Sequence, residues 1–304
     1  MIRSISGLTN ITRNKAVRSL KFIISILVIA VILGVAFQYY QSLQETAPET
    51  PDQSYLEVKF FDLGQADCTL IRNGTHTMLI DTGANQTASK LVGILKSMEI
   101  SSINVLVGTH PHEDHIGGMD AVIKQFKIET IYMPDVVTTT QTFSDVLDAI
   151  EAKALKITHP EAGTIFDFGS ARCTVLAPNS THYEDINNYS IVIKTDFGKN
   201  SFLFMGDAEN TSELEMLSKK YDLKADVLKV GHHGSDSSTG TEFLKAVSPR
   251  YAVIFIGKDN DYGHPSAQTL QKLNDNNVII FRTDLNGTVT VKSDGNDLTF
   301  TTDR

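Results

Sequence analysis

VGTHPHEDHIGGMD (Val107–Asp120) decides how this chain is read. His110, His112, Glu113, Asp114 and His115 crowd the end of an apolar run, just ahead of Gly117 and Gly118. In an extended segment alternate side chains share a face, so His110 and His112 point the same way. A turn through Pro111–Glu113 brings Asp114 and His115 round to that side, and the glycine pair lets the chain enter a helix at close quarters. Imidazoles and a carboxylate converging at a strand-to-helix turn suit a borderline divalent ion. One tetrahedral ion cannot use all four and keep an open position, whereas two ions can. A polar loop with chance histidines is a poor rival, because six of the nine histidines fall in three short motifs at strand ends.

Outward from this stretch, the pattern is two rounds of strands followed by helices. Tyr55–Gly64, Asp67–Gly74 and Thr77–Gly83 read as strands closed by turn glycines. Ser89–Met98 has helical apolar spacing, Ile103–His110 is a short buried strand, and Met119–Phe126 is a helix. Ile128–Pro134 (strand) and Phe143–Leu155 (helix) complete the first round. Thr164–Gly169, Ala171–Pro178, Ser190–Gly198 and Asn200–Asp207 are strands of the second, followed by a helix over Ser212–Tyr221 and strands at Ala225–Gly231 and Tyr251–Gly257. Ser266–Asp275 is a last helix, and Val278–Asp284 with Gly287–Ser293 reads as a terminal hairpin across Asn286-Gly287. The fold class is α/β: two mixed sheets with helices on their outer faces. Polar clusters fall at strand ends, where loops carry chemistry on a rigid frame.

The chain is acidic, with a net charge of −9, yet Arg3, Arg13, Lys15, Arg18 and Lys21 stand in a first segment (1–21) that has no acid. Such a balance excludes a broad electrostatic grip on nucleic acid and leaves room for a local basic groove. Residues 22–40, Phe22 to Tyr40, carry no charge and approach the length of a bilayer core, with Tyr39 and Tyr40 at the boundary. The expectation is a single-pass signal-anchor, N-terminus cytoplasmic and the remainder outside the cell membrane. The alternatives are a signal peptide cleaved after Ala36 and a buried core helix. Residues 41–53 are polar, acidic and proline-containing, as in a tether, and 54–304 form one folded domain. Cys68 and Cys173 read as buried small hydrophobes rather than a disulfide pair.

THPHEDHIGG carries the H-x-H-x-D-H signature and resembles the metallo-β-lactamase superfamily, whose fold is a four-layer αββα sandwich. FFDLGQADCTLI, LIDTG, FLFMGDAE, VLKVGHHGS and YGHPS follow in the order found in the ComEC competence-protein hydrolase domain, covering nearly all of Tyr55 to Thr288. The multispan channel that accompanies that domain is not matched by one hydrophobic span. The resemblance implies two divalent ions, zinc or manganese. His110 and His112 would hold the first; Asp114, His115 and His264 the second; Asp207 would bridge them. The third histidine of the first site is missing: DINNYSIVI offers Asn187 as a weak oxygen ligand, with His182 as the alternative.

Further roles follow from the same resemblance. Asp81 of LIDTG orients a metal histidine. Of His232 and His233, the second faces the ions and contacts a phosphate or protonates the leaving group, while the first packs behind it. Gly234, Ser235, Ser237, Ser238 and Thr239 read as phosphate-compatible donors. Gln65 and Asp67 read as turn and sheet-edge polar residues, and His76 and His159 as exposed. The implied activity is a ComEC-like phosphodiesterase or DNase, acting on single-stranded DNA or another phosphodiester polymer. Phosphocholine on a wall polymer and a β-lactam are alternative substrates. From another class comes a non-catalytic surface binding protein on the same fold, whose mark would be eroded ligands.

Overall fold

Leu56, Val58 and Phe60 are fully buried while Glu57 and Lys59 between them are half-buried, and this two-residue period makes β1 (Leu56–Phe60). The structure is a computed structural model that describes Ile24, residues 29–38 and residues 54–304. The chain divides into two compact units, Met1–Thr50 and Pro51–Arg304. In the first, residues 29–38 are helical and expose Ile29, Val31, Ile32, Leu33, Val35 and Phe37. Among the described residues no helix is long and apolar enough to cross a membrane. The rest of the 22–40 segment, with the 1–21 arm and the whole 41–53 tether, lies outside the described residues.

In the second unit β2 (Thr69–Asn73) and β3 (His76–Ile80) continue antiparallel from β1. Then β4 (Ser102–Val107), β5 (Lys127–Tyr132) and β6 (Ile157–Thr158) add on parallel. The second sheet repeats the scheme. Its antiparallel part is β7 (Ile165–Phe168), β8 (Ala171–Ala177), β9 (Val192–Phe197) and β10 (Asn200–Phe204). Parallel to β10 run β11 (Val227–Lys229), β12 (Tyr251–Ile254) and β13 (Ile279–Arg282). The chain then returns to the first sheet as β14 (Val289–Ser293) and β15 (Leu298–Thr302), giving the order β15-β14-β1-β2-β3-β4-β5-β6.

Three apolar layers hold this together. Val58, Phe60, Met78, Val105, Phe202, Phe204 and Phe255 pack between the sheets. Leu79, Leu106, Ile123 and Val146 pack the first sheet against its helices, and Leu203, Leu228, Met216 and Phe243 do so for the second. The four-layer expectation is borne out. Both cysteines are free and buried, in different layers.

The terminal hairpin is not formed. β13 pairs parallel to β12 in one sheet, and β14 pairs with β1 in the other. Between them a helical turn at Thr283–Asn286 buries the Thr283 hydroxyl, which donates to Ile256 O at 3.0 Å and accepts from Ile256 N at 2.8 Å. The true hairpin joins β14 to β15, where the Asp294 side chain accepts from the backbone N–H of Asn296 and Asp297, each at 2.8 Å. His76 also departs from expectation: it opens β3 half-buried, with its ring edge-on to Phe168 at 5.8 Å, whereas His159 is exposed.

Candidate metal centre

Parallel strands deliver the polar motifs to one end of the sandwich, beyond their carboxyl ends, where open sheets hold ligands. His110–His115 follow β4, Asp207 follows β10, His232 and His233 follow β11, and His264 follows β12. The two sheets are tied at this end by Ile191 N donating to Thr109 O at 2.9 Å.

Four donor atoms converge. His115 Nε2 lies 3.2 Å from Asp207 Oδ2 and 3.8 Å from Asp114 Oδ2. His233 Nε2 lies 3.1 Å from Asp114 Oδ2 and 3.6 Å from Asp207 Oδ2. Around an ion with ligands at about 2.0–2.1 Å, the edge of a tetrahedron is ~3.3 Å, so these atoms stand at ligand spacing. His115 Nε2 is moreover buried without a hydrogen-bond partner, a costly state that an ion would relieve. Beside this focus, His110 Nε2 and His112 Nδ1 meet at 2.9 Å. Burial and the neighbouring His115 hold the pKa of His110 well below its ordinary value, so it presents a neutral, ligating ring.

A second layer fixes these rings. Asp81 accepts from His115 Nδ1 at 2.8 Å, and its carboxylate is itself held by Thr109 N and Thr109 Oγ1, both at 2.8 Å. Phe255 O accepts from His233 Nδ1 at 3.0 Å. Both imidazoles therefore turn Nε2 towards Asp207. Asp67 stands behind the same pair, 3.5 Å from His233 Nδ1 and 3.9 Å from His115 Nδ1, and is ion-paired with the buried Lys229. It is thus part of the centre and not the turn or edge residue expected. Asp67, His115, Asp207 and His233 form a buried group whose donor atoms lie within 4.8 Å of one another. Burial disfavours charge on His115, but Asp207, Asp81 and Asp114 outweigh it and raise its pKa well above the usual range.

The backbone is strained here. Asp81 has φ 59°, His232 φ 44° and His233 φ 49°, in the left-handed region that residues with a Cβ rarely enter. Such outliers persist where surrounding structure over-determines them, commonly at functional sites. The successive left-handed pair turns His233 inward from the end of β11 and leaves His232 on the cleft wall. Glu213 fastens the loop beyond, accepting from Thr239 N at 2.6 Å and Gly240 N at 2.8 Å.

The remaining sequence candidates fall on both sides of the cluster. Gln65, His112, Asp114, Asp207, His232, His264 and Tyr262 line a cleft of about 490 Å³ over it. His264 is half-buried on its wall, ring centroid 5.5 Å from that of His232, and is not among the four convergent donors. His232 donates from Nδ1 to Glu209 Oε1 at 2.9 Å. Asn187 is buried with Oδ1 unpartnered, while His182 is exposed and lines a separate cavity with Glu184 and Glu215. The hydroxyl run is spent internally: Ser238 Oγ donates to Gly231 O at 2.8 Å and Ser237 Oγ to Glu209 Oε1 at 2.7 Å. Lys229, Glu209 and Tyr262 were not anticipated; a lysine inside the apolar run DVLKV was the available signal for the first.

Residues 61–258 match the model of the Metallo-beta-lactamase superfamily. ComE operon protein 3 of Bacillus subtilis (strain 168) is 32% identical over 252 residues, 77% of this chain and 32% of that protein. Competence protein ComA of Neisseria gonorrhoeae is 30% identical over 263 residues, 85% of this chain and 34% of that protein. The chain spans about a third of the length of these curated relatives. Among solved structures, the metallo-beta-lactamase fold protein YhfI from Bacillus subtilis superposes with a TM-score of 0.53 at 12% identity, covering 79% of this chain and 100% of that one, a likeness of fold. The layered sheets, the buried donor cluster and these matches agree: the chain belongs to the metallo-beta-lactamase superfamily, whose members are metal-dependent hydrolases, and resembles ComEC-type competence proteins.

Proposed function

We propose that this chain is a membrane-anchored, extracytoplasmic phosphodiesterase that uses two divalent ions, zinc or manganese, on substrates carrying a nucleobase, such as single-stranded DNA. The observation that carries the reading is the placement of Asp207 Oδ2 among His115 Nε2, His233 Nε2 and the cleft. Asp114, His115 and His233 would hold one ion, and His110 and His112, with the unpartnered Asn187 Oδ1, the other, and Asp207 would serve both. Bound ions supply Lewis-acid polarisation of a phosphoryl oxygen and acidify water. Asp81 and Phe255 O keep the ligating rings in the needed tautomer. Glu209 orients His232 so that its Nε2, 4.0 Å from Asp207 Oδ2, can bond a phosphate oxygen from the cleft wall.

The cleft bears Glu113, Asp114 and Asp207 and, among the described residues, no Lys or Arg, so attraction for phosphate comes from the ions. Its rim supplies a ring. Tyr262 is 72% exposed and stacked on His264, centroids 6.1 Å apart and planes 17° apart. Asn260 ties the loop, accepting from Tyr262 N at 3.1 Å and His264 N at 3.2 Å and donating to His264 O at 2.8 Å. An aromatic face held in water by a fastened loop suits a planar base. A quaternary ammonium such as choline asks for an aromatic cage, and among the described residues Tyr262 is the one Phe, Tyr or Trp lining the cleft.

The test offers the full-length chain, loaded with Mn²⁺ or Zn²⁺, a single-stranded oligodeoxynucleotide, its abasic counterpart, a phosphocholine ester and a β-lactam. The base-bearing strand should be cut best. Tyr262→Ala should lower kcat/KM on it by roughly 10–100-fold, the worth of one stacked base, and leave the abasic strand unchanged. Hydrolysis of no member of the panel overturns the reading in favour of a surface binding protein.

Anchoring is supported by the basic 1–21 arm, the uncharged 22–40 segment and the exposed apolar helix residues at 29–38. Protease added to intact cells should degrade the domain, and its protection there would overturn the location.

A further inference from the structure

Lys229 ends β11 at an inward position. Strand alternation puts it on the face of Val227, which belongs to the layer between the sheets, so its stem runs through apolar packing to reach the metal centre from below. It is 2% exposed. Its ammonium donates to Gly206 O at 2.6 Å, pairs with Asp67, lies 3.6 Å from Asp207 Oδ1 and stands 5.8 Å from the Phe255 ring centroid. A buried ammonium is tolerated only when paired, and removing one partner leaves the other charge uncompensated. The reverse need is as strong. Asp67, Asp81, Asp114 and Asp207 all gather within 4 Å of the His115 ring nitrogens. Among the described residues Lys229 is the one Lys or Arg ion-paired with any of them.

We propose that Lys229 is a resident counter-ion: a positive charge built into the strand that keeps Asp67 and Asp207 in place when the divalent ions leave. By drawing Asp207 Oδ1 downward it also leaves Oδ2 as the oxygen that faces the ligating rings. The inference rests on the metal-centre reading above and adds a regulation of that centre. A charge that stabilises the ion-free form more than the loaded form weakens ion binding by the same free energy, because binding to the native state and native stability are linked. Lys229 thus trades affinity for a site that stays assembled and can exchange its ions.

The experiment melts the full-length chain, as wild type, Lys229→Met and Lys229→Met/Asp67→Asn, in chelator and in saturating Mn²⁺. Lys229→Met keeps the length of the stem and removes the charge. In chelator it should lose about 10 °C in Tm, the scale of an unpaired buried carboxylate in a domain of this size. In Mn²⁺ most of that loss should vanish, so its ion-induced rise in Tm exceeds that of wild type. The double variant should recover most of the loss in chelator. Equal losses with and without Mn²⁺ would make Lys229 a packing residue and overturn the proposal, as would a double variant no better than the single. If Lys229→Met does not fold without ions, folding of the double variant supports the proposal and its failure overturns it. A wild type whose Tm ignores both Mn²⁺ and Zn²⁺ would sink the metal-centre reading instead, and the chelator comparison would still decide the pairing.

Discussion

Asp207→Ala should empty both ion positions at once. Its Oδ2 lies 3.2 Å from His115 Nε2 and 3.6 Å from His233 Nε2, so its loss removes an oxygen that faces both rings. Elemental analysis of the metal-saturated variant should show less than one ion per chain against close to two in wild type. Turnover should fall well beyond the roughly 10–100-fold that loss of an outer hydrogen-bond partner brings. His264→Ala is the informative contrast. Standing on the cleft wall, it should keep the wild-type ion content and lose activity through substrate handling. An ion lost from His264→Ala would restore His264 to the metal set and return His233 to the cleft.

Gly117→Ala should be among the most destructive single-methyl changes in the domain. A Cβ there would lie 2.2 Å from Asn85 N, 2.5 Å from Ala84 C and 2.5 Å from Glu113 O, all backbone atoms that cannot swing aside. The same seam carries Asn85 N to Glu113 Oε1 at 2.6 Å and Thr82 N to His115 O at 2.7 Å. Making room parts the helical turn bearing Asp114 and His115 from the strand end bearing Asp81. The expected cost is about 3 kcal/mol or more in urea unfolding, with weakened ion binding alongside. Gly93, in the helix Ala88–Ser97, has nothing within 4 Å of its Cβ position, and Gly93→Ala should stabilise by about 0.5–1 kcal/mol. Similar outcomes for the two variants would refute the seam.

The layers were legible because alternation in β1 and helical spacing in Ala88–Ser97 are local properties of the chain. The histidine-rich turn was legible for a related reason: side chains that dislike apolar surroundings stand at the ends of apolar runs. What the sequence withheld was reach. His233 and His264 both follow parallel strands, and nothing local says that two left-handed residues turn the first inward while a fastened loop holds the second on the wall. Asp67 looked like a turn residue because its partner, Lys229, lies far along the chain. The hydroxyls after Gly234 looked free for a phosphate, yet Ser235, Ser238 and Thr239 are buried, with Ser235 Oγ bonded to Ser237 Oγ and Ser238 Oγ donating to Gly231 O. The apolar runs either side of Asn286-Gly287 invited a hairpin, and only long-range pairing assigns them to different sheets.

The place of β1 governs when the molecule can assemble. Leu56 pairs with Asn73 on one side and with Ser293 on the other, so the first of the described strands waits for nearly the last of them. Synthesis delivers the amino-terminal strands early, but the first sheet stays unfinished, with an open edge at β1, until β14 arrives. Pairings so distant in the chain are slow to form, because the closure entropy of the loop precedes any reward. A nascent chain with this strand order therefore commits its first sheet only once the strands of the second have been made.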